Sequence, residues 1–134
     1  MGIILDADVV IRGERGELDL PAWLASHARD DFAIAAMTVA ELWHGVERAS
    51  PNHRHYREQY IRGVINAFPI IPYTEQIAFE HARIWAILEF SGQPISPYDL
   101  LVAATALDRD SAVATYNRRH YSRIKGLKLI QPGN

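Results

Sequence analysis

Apolar residues in this chain come in short unbroken runs separated by stretches of helical spacing. The first run is Ile3-Ile4-Leu5, followed by Asp6 and then Ala7-Asp8-Val9-Val10-Ile11. Branched residues without polar alternation are what a strand buried on both faces of a parallel sheet requires. The stretch therefore predicts a central strand turning into a helix, Asp8 to Gly13, closed by Gly13 and Gly16. Pro21, at a favoured first helical position, opens a second helix to about Arg29. Phe32 to Ala35 is the next strand. Val39, Leu42, Trp43 and Val46 follow helical spacing behind Thr38, and Ser50-Pro51 ends that helix and starts another. In the new helix Tyr56, Tyr60, Ile61, Val64, Ile65 and Phe68 form one face expected to be buried.

The prolines around Phe68 to Pro72 predict a weak edge strand. Thr74 is an N-cap for a long helix through Ile77, Ala78, Ala82, Trp85 and Leu88, with Gly92 just past its end. Ser96-Pro97 opens a helix to about Leu107, and Ser111 to Thr115 and Leu127 to Ile130 complete the strands. Strands alternating with helices indicate an α/β domain with a mainly parallel sheet.

Composition narrows the class. A chain of 134 residues with 49% hydrophobic content suits one domain and not two. The absence of cysteine excludes disulfides, thiolate metal sites and cysteine nucleophiles. Asp6 and Asp8 interrupt the opening apolar stretch, so no signal peptide is expected there. No uncharged run approaches the roughly 18 residues of a membrane span, so a cytoplasmic protein without a membrane partner is expected. Charge is uneven: residues 1–41 hold 8 acids and 3 bases, residues 42–134 hold 8 acids and 11 bases. The most basic stretch carries Arg118, Arg119, Arg123, Lys125 and Lys128, a phosphate-binding face or simply a solvated one.

Three acids occupy comparable places. Asp6 ends a strand, and Glu41 and Asp99 fall in first turns of predicted helices. Each has an ordinary reading, since Thr38-x-x-Glu41 is a capping box and Ser96-Pro97-x-Asp99 is nearly one. In a parallel sheet, however, strand C-termini and helix N-termini share one rim, where ligands bind. Two carboxylates there about 4 Å apart repel by about 4 kcal/mol at an effective dielectric of 20. An oxygen-only set of this kind suits Mg²⁺ or Mn²⁺ and metal-assisted phosphodiester hydrolysis. Asp6-Ala7-Asp8-Val9 also suits an aspartyl-phosphate phosphatase of the haloacid dehalogenase type, although the lysine such an enzyme needs is represented only by Lys125 and Lys128. Glu41-x-x-His44 has di-iron spacing without the second copy such sites use, which leaves His44 as an ordinary helix histidine.

Four motifs in order resemble the PIN-domain ribonucleases, and within them the VapC toxins of toxin–antitoxin pairs. They are Ile4 to Ile11; Thr38-Val39-Ala40-Glu41-Leu42 with Gly45; Ile95-Ser96-Pro97-Tyr98-Asp99 and the apolar run to Ala106; and Thr115-Tyr116-Asn117-Arg118-Arg119-His120-Tyr121 with Ile124, Gly126 and Leu127. The resemblance spans nearly the whole of 1–134 as a single PIN domain. It implies a three-layer sandwich with strand order 3-2-1-4-5, and an endoribonuclease dependent on Mg²⁺ or Mn²⁺ that leaves 5′-phosphate and 3′-hydroxyl ends. It further implies an antitoxin that blocks the cleft. The metal-ligand role passes to Asp6, Glu41 and Asp99. Asn117 stands where many relatives have a fourth acid, and His120 where an acid is also common, which leaves the number of ions open. Asp8 replaces the usual Asn and, with Thr115, is expected to support the ligands from behind. Arg118 and Arg119 are candidates for RNA phosphates. Tyr98 and Tyr116 could stack on bases or pack in the core. The aromatic faces at 56–68 and 77–88 are expected in the core, with some surplus for a homodimer or an antitoxin groove. A non-catalytic PIN-like RNA- or protein-binding domain is the alternative.

Overall fold

The computed structural model describes residues 1–133 and is α/β, with a five-stranded sheet ordered β3-β2-β1-β4-β5. The strands are β1 (Gly2–Leu5), β2 (Asp31–Ala35), β3 (Ile70–Ile71), β4 (Ala112–Ala114) and β5 (Leu129–Ile130), and every pairing is parallel. The helices are α1 (Ala7–Glu14), α2 (Leu20–Ser26), α3 (Ala36–Glu47), α4 (Pro51–Ala67), α5 (Glu75–Phe90), α6 (Pro97–Asp108) and the single turn α7 (Arg118–Tyr121). No helix among the described residues is long and apolar enough to cross a membrane.

Side-chain alternation along the strands makes two cores. Ile4, Ala35, Ile71 and Val113 face α5 and α6, meeting Ile77, Ile84, Leu88 and Leu100. Ile3, Leu5, Ile34 and Ala114 face the other way onto α1 to α4, meeting Val10, Trp23, Leu42, Val46 and Ile61. Burial on both faces explains why β1 reads as a continuous apolar run. Helix α6 lies so deep that Val102, Ala103, Ala104 and Ala106 are fully buried, and small side chains let it approach the sheet closely.

Several expectations shift. Helix α2 ends at Ser26 rather than Arg29, because the Ser26 hydroxyl donates to the Trp23 carbonyl at 2.6 Å and His27 turns to Asp30 at 3.0 Å. Helix α3 starts at Ala36, two residues before Thr38, and no side chain caps it. Thr38 and Glu41 therefore lie inside the helix, and the predicted capping box does not form. In α4 the buried face is Ile61 and Val64 with half-buried Tyr60, Ile65 and Phe68, while Tyr56 is exposed. In α5, Ile77, Ile84 and Leu88 are the buried stripe; Ala82 and Trp85, expected inside, face solvent. Large apolar residues on its solvent side as well, Phe79, Trp85, Ile87 and Phe90, hid its true inner face. Thr74 does cap it, accepting from Ile77 N at 3.2 Å, and Gly92 follows with φ 68°.

Ile4 of the central strand is 1% exposed. Ile4→Ala is expected to lower unfolding stability by about 3 kcal/mol through lost burial and the cavity left. Urea denaturation should show this as a lower midpoint with an unchanged slope.

Candidate metal and catalytic site

The parallel sheet delivers its acids to one rim. Asp6 directly follows β1, has extended backbone, and serves as N-cap of α1, its Oδ1 accepting from Ala7 N at 3.0 Å. Its Oδ2 accepts from the Thr115 hydroxyl at 2.8 Å, which ties the end of β1 to the residue after β4. Asp8, one step into α1, accepts from Tyr116 N at 3.0 Å through Oδ2, and the Thr115 hydroxyl lies 3.3 Å from the same oxygen. Thr115 also accepts from Asn117 N at 3.0 Å, so this one side chain fixes Asp6, Asp8 and the loop together.

Glu41 reaches the same place from the second turn of α3, and Asp99 from the first turn of α6. Ser96 caps α6 by accepting from Tyr98 N at 3.2 Å, which frees Asp99 from that task. Instead Asp99 Oδ2 accepts from Asn117 Nδ2 at 3.0 Å, and Oδ1 from the buried Tyr121 hydroxyl at 3.3 Å. His120 Nδ1 lies 3.2 Å from the same Asn117 amide and 3.7 Å from Asp99 Oδ2.

Electrostatics shows that the four acids form one group. Burial first, then the neighbouring Asp8 and Asp99 charges, push Asp6 from its ordinary 3.8 up to about 7 despite the Thr115 hydrogen bond. Burial followed by repulsion from Asp6, Asp99 and Asp8 pushes Glu41 to about 7 as well. Burial raises Asp8, opposed by hydrogen bonds from Tyr116 and Thr115. Burial likewise raises Asp99, opposed by Tyr121, His120 and Asn117. Tyr121, buried beside these acids, is held firmly in its protonated, donating form.

The donor set fits a hard divalent cation. Every acid offers oxygen, and two buried carboxylate oxygens, Asp8 Oδ1 and Glu41 Oε1, have no hydrogen-bond partner. Unsatisfied buried acceptors within a set of mutually repelling acids are what a cation would complete. Among the described residues no three acids or histidines come together closely enough to hold an ion as they stand; Asp6 and Asp99 lean on the protein's own donors. An ion that keeps several of its waters does not demand a finished cage.

Beside Glu41 opens a cleft of about 380 Å³, whose lining includes Ile11, Met37, His44 and Tyr98. Here His44, an ordinary helix histidine on sequence spacing, borders the acids, and Tyr98 lines the cleft instead of packing in the core. Tyr116 is half-buried, its hydroxyl donating to the Pro132 carbonyl at 2.8 Å. Arg118 and Arg119 are exposed on α7, next to Asn117. Two participants escaped the sequence reading. Tyr121 looked like one more core aromatic, and only its place four residues after Asn117 marks the shared turn. Arg12, whose guanidinium stacks 3.8 Å over Tyr116, helps offset the rise at Asp8; its spacing of four from Asp8 on α1 was the available signal.

A family model described as the PIN domain matches residues 3–127. The chain is 30% identical over 131 residues to a protein named ribonuclease VapC1 from Rickettsia felis, covering 97% of this chain and 96% of that one. It is 31% identical over 110 residues to a protein named tRNA(fMet)-specific endonuclease VapC from Salmonella typhimurium, covering 77% and 82%. Among solved structures, VapBC-5 from Mycobacterium tuberculosis, described as a member of the VapBC family of toxin-antitoxin systems, superposes with a TM-score of 0.78. That chain is 26% identical, with 97% of this chain and 98% of the other covered.

The raised acids have a consequence for the metal-free protein. An acid with a folded-state pKa above its unfolded value binds its proton more tightly when native, so stability falls as pH rises between the two values. For Asp6 that window runs from 3.8 to about 7. In chelator, the melting temperature is expected to fall from pH 5 to pH 7.5, at about 4 °C per kcal/mol for a chain of this size. Asp6→Asn should flatten the slope, leaving the part due to Glu41, and should melt above the wild type at pH 7.5. Differential scanning calorimetry across pH checks both.

Proposed function

Because the chain belongs to the PIN-domain family, we propose that it is a divalent-metal-dependent endoribonuclease, the toxin of a VapBC-type toxin–antitoxin pair. The observation that carries this reading is the convergence of Asp6, Asp8, Glu41 and Asp99 from separate elements onto one rim, with two buried oxygens left without partners. Membership in this family removes the haloacid dehalogenase alternative.

Asp6, Glu41 and Asp99 are the residues that would hold Mg²⁺ or Mn²⁺. When bound, the ion would supply Lewis-acid polarisation of the phosphodiester and make water a better nucleophile. Thr115 and the Ala7 amide fix the rotamer of Asp6, and Asn117 and Tyr121 fix that of Asp99. Side chains held in this way meet a ligand already oriented. Asp8 binds Tyr116 N through Oδ2 and stands behind the ligands, its unpartnered Oδ1 available to a water that the ion would carry. In the reaction a water oxygen bonds to phosphorus and the bond to the 3′ oxygen breaks; one proton of that water ends on the departing 3′ oxygen, which leaves as a hydroxyl, and the other is lost from the new 5′-phosphate to solvent. The cleft beside Glu41, with Tyr98 and His44 on its walls, receives the RNA strand, and Arg118 and Arg119, exposed on α7, are the candidates for its phosphates.

Exposed Phe79, Trp85 and Phe90 on α5 give the chain apolar surface for protein partners, a second copy of itself or an antitoxin that covers the cleft. The cytoplasm, where RNA and an antitoxin would both be met, is its proposed compartment. Three acids, two of them held by hydrogen bonds, favour activity over the non-catalytic reading.

Asp6→Asn is expected to slow Mg²⁺- or Mn²⁺-dependent cleavage of labelled RNA by more than about 100-fold, since loss of a mere supporting partner already costs 10- to 100-fold. Thr115→Val should show that smaller loss. Gel assays with a chelator control read both, and equal cleavage by wild type and Asp6→Asn would end the catalytic reading.

A further inference from the structure

On the flank of the molecule, between the second half of α5 and the segment after α7, lies a second cavity of about 180 Å³. Its floor is Ile84, Leu88 and Ile124, each at most 5% exposed, and half-exposed Ile87 forms a wall. That surface is apolar. The rim carries three cations, Arg83, Arg123 and Lys125. Two of them have partners: Glu80 accepts from Arg83 Nε and Nη2, and Arg123 donates to the Pro94 carbonyl at 2.8 Å, while Lys125 is exposed. Of the acids on α5, Glu80 is engaged by Arg83 and Glu89 lies exposed on the same helix.

The cavity is close to the acidic rim along the chain. Ile124 follows Tyr121 by three residues, a reach of at most about 11 Å, and the Tyr121 hydroxyl touches Asp99. Arg118 and Arg119 continue the cationic surface along α7 to Asn117.

We propose that this cavity is a subsite for a nucleotide flanking the scissile bond, its base on the apolar floor beside a rim guanidinium and its phosphate at Lys125. A nucleotide joins a flat apolar ring to an anion, and an apolar floor inside a cationic rim complements both. Proteins that hold single-stranded nucleic acid pair stacking surfaces with Arg and Lys in the same way. A protein partner has the larger exposures of Phe79 and Phe90 on the same helix to use, and lysine is depleted at the centres of protein interfaces. The inference rests on RNA being the substrate.

Fluorescence anisotropy tests it with the full-length Asp6→Asn protein in chelator, so that nothing is cut, and labelled single-stranded RNA over a range of salt. Lys125→Gln combined with Arg123→Gln should weaken binding about 10-fold and flatten the dependence of log affinity on log salt by about 0.7 for each phosphate no longer neutralised. Ile87→Ser should weaken binding several-fold with the salt slope unchanged, and should have no effect on an RNA with an abasic residue at the flanking position. If the parent binds RNA and all of these variants bind it equally well, the subsite is overturned while the RNA reading stands. Failure of the parent to bind RNA at all would overturn the RNA reading, and the subsite with it. Unchanged RNA affinity with self-association abolished in sedimentation would make the cavity a protein interface and overturn the subsite. Circular dichroism melting of Lys125→Gln alone, a surface change, keeps misfolding separate from loss of binding.

Discussion

The constraint on which this structure turns is like-charge crowding: four carboxylates, from the end of β1, from α1, from α3 and from α6, are drawn partly out of water at one rim. Taking acids out of water and setting them side by side each oppose folding. The chain meets that opposition by raising Asp6 and Glu41 until they titrate near 7 and by aiming donors at Asp6, Asp8 and Asp99. Ala7 N, Tyr116 N, the Thr115 hydroxyl, the Asn117 amide and the Tyr121 hydroxyl all point into the cluster. What is left over is two acceptor oxygens with nothing to accept from. A fold that supports so much of a negative cluster and leaves that remainder is prepared for a positive ligand.

The two hydrophobic cores are what make the crowding sustainable. Residues of β1 alternate between them, Ile4 to one side and Ile3 and Leu5 to the other, so the strand that carries Asp6 is clamped from both faces. The deep position of α6 does the same for Asp99. Because rigid elements, and not loops, deliver Asp6, Glu41 and Asp99, repulsion cannot be relieved by moving backbone apart; it is relieved through protonation and side-chain rotation.

Much of this could be read in the sequence. The apolar run ending at Asp6, the Thr74 cap, the Ser96-Pro97 start and the strand order implied by the family resemblance all correspond to what is found. What stayed hidden shares a cause. The fate of Glu41 depended on where α3 begins, and an uncapped start at Ala36 leaves no polar signal, so the capping pattern at Thr38 misled. The inner face of α5 was masked because Phe79, Trp85, Ile87 and Phe90 on its solvent side are as apolar as Ile77, Ile84 and Leu88, so periodicity alone offers more than one apolar stripe. Tyr121 was legible as an aromatic but not as a hydrogen-bond donor, because its partner lies 22 residues away along the chain.

The Thr115 hydroxyl has a further meaning. It possesses one hydrogen and stands within reach of both Asp6, at 2.8 Å, and Asp8, at 3.3 Å. It can satisfy only one of them at a time, so gaining a proton at Asp6 releases the hydroxyl to serve its neighbour. The two carboxyls thus share a single donor, and a proton gained at one changes what the other can accept.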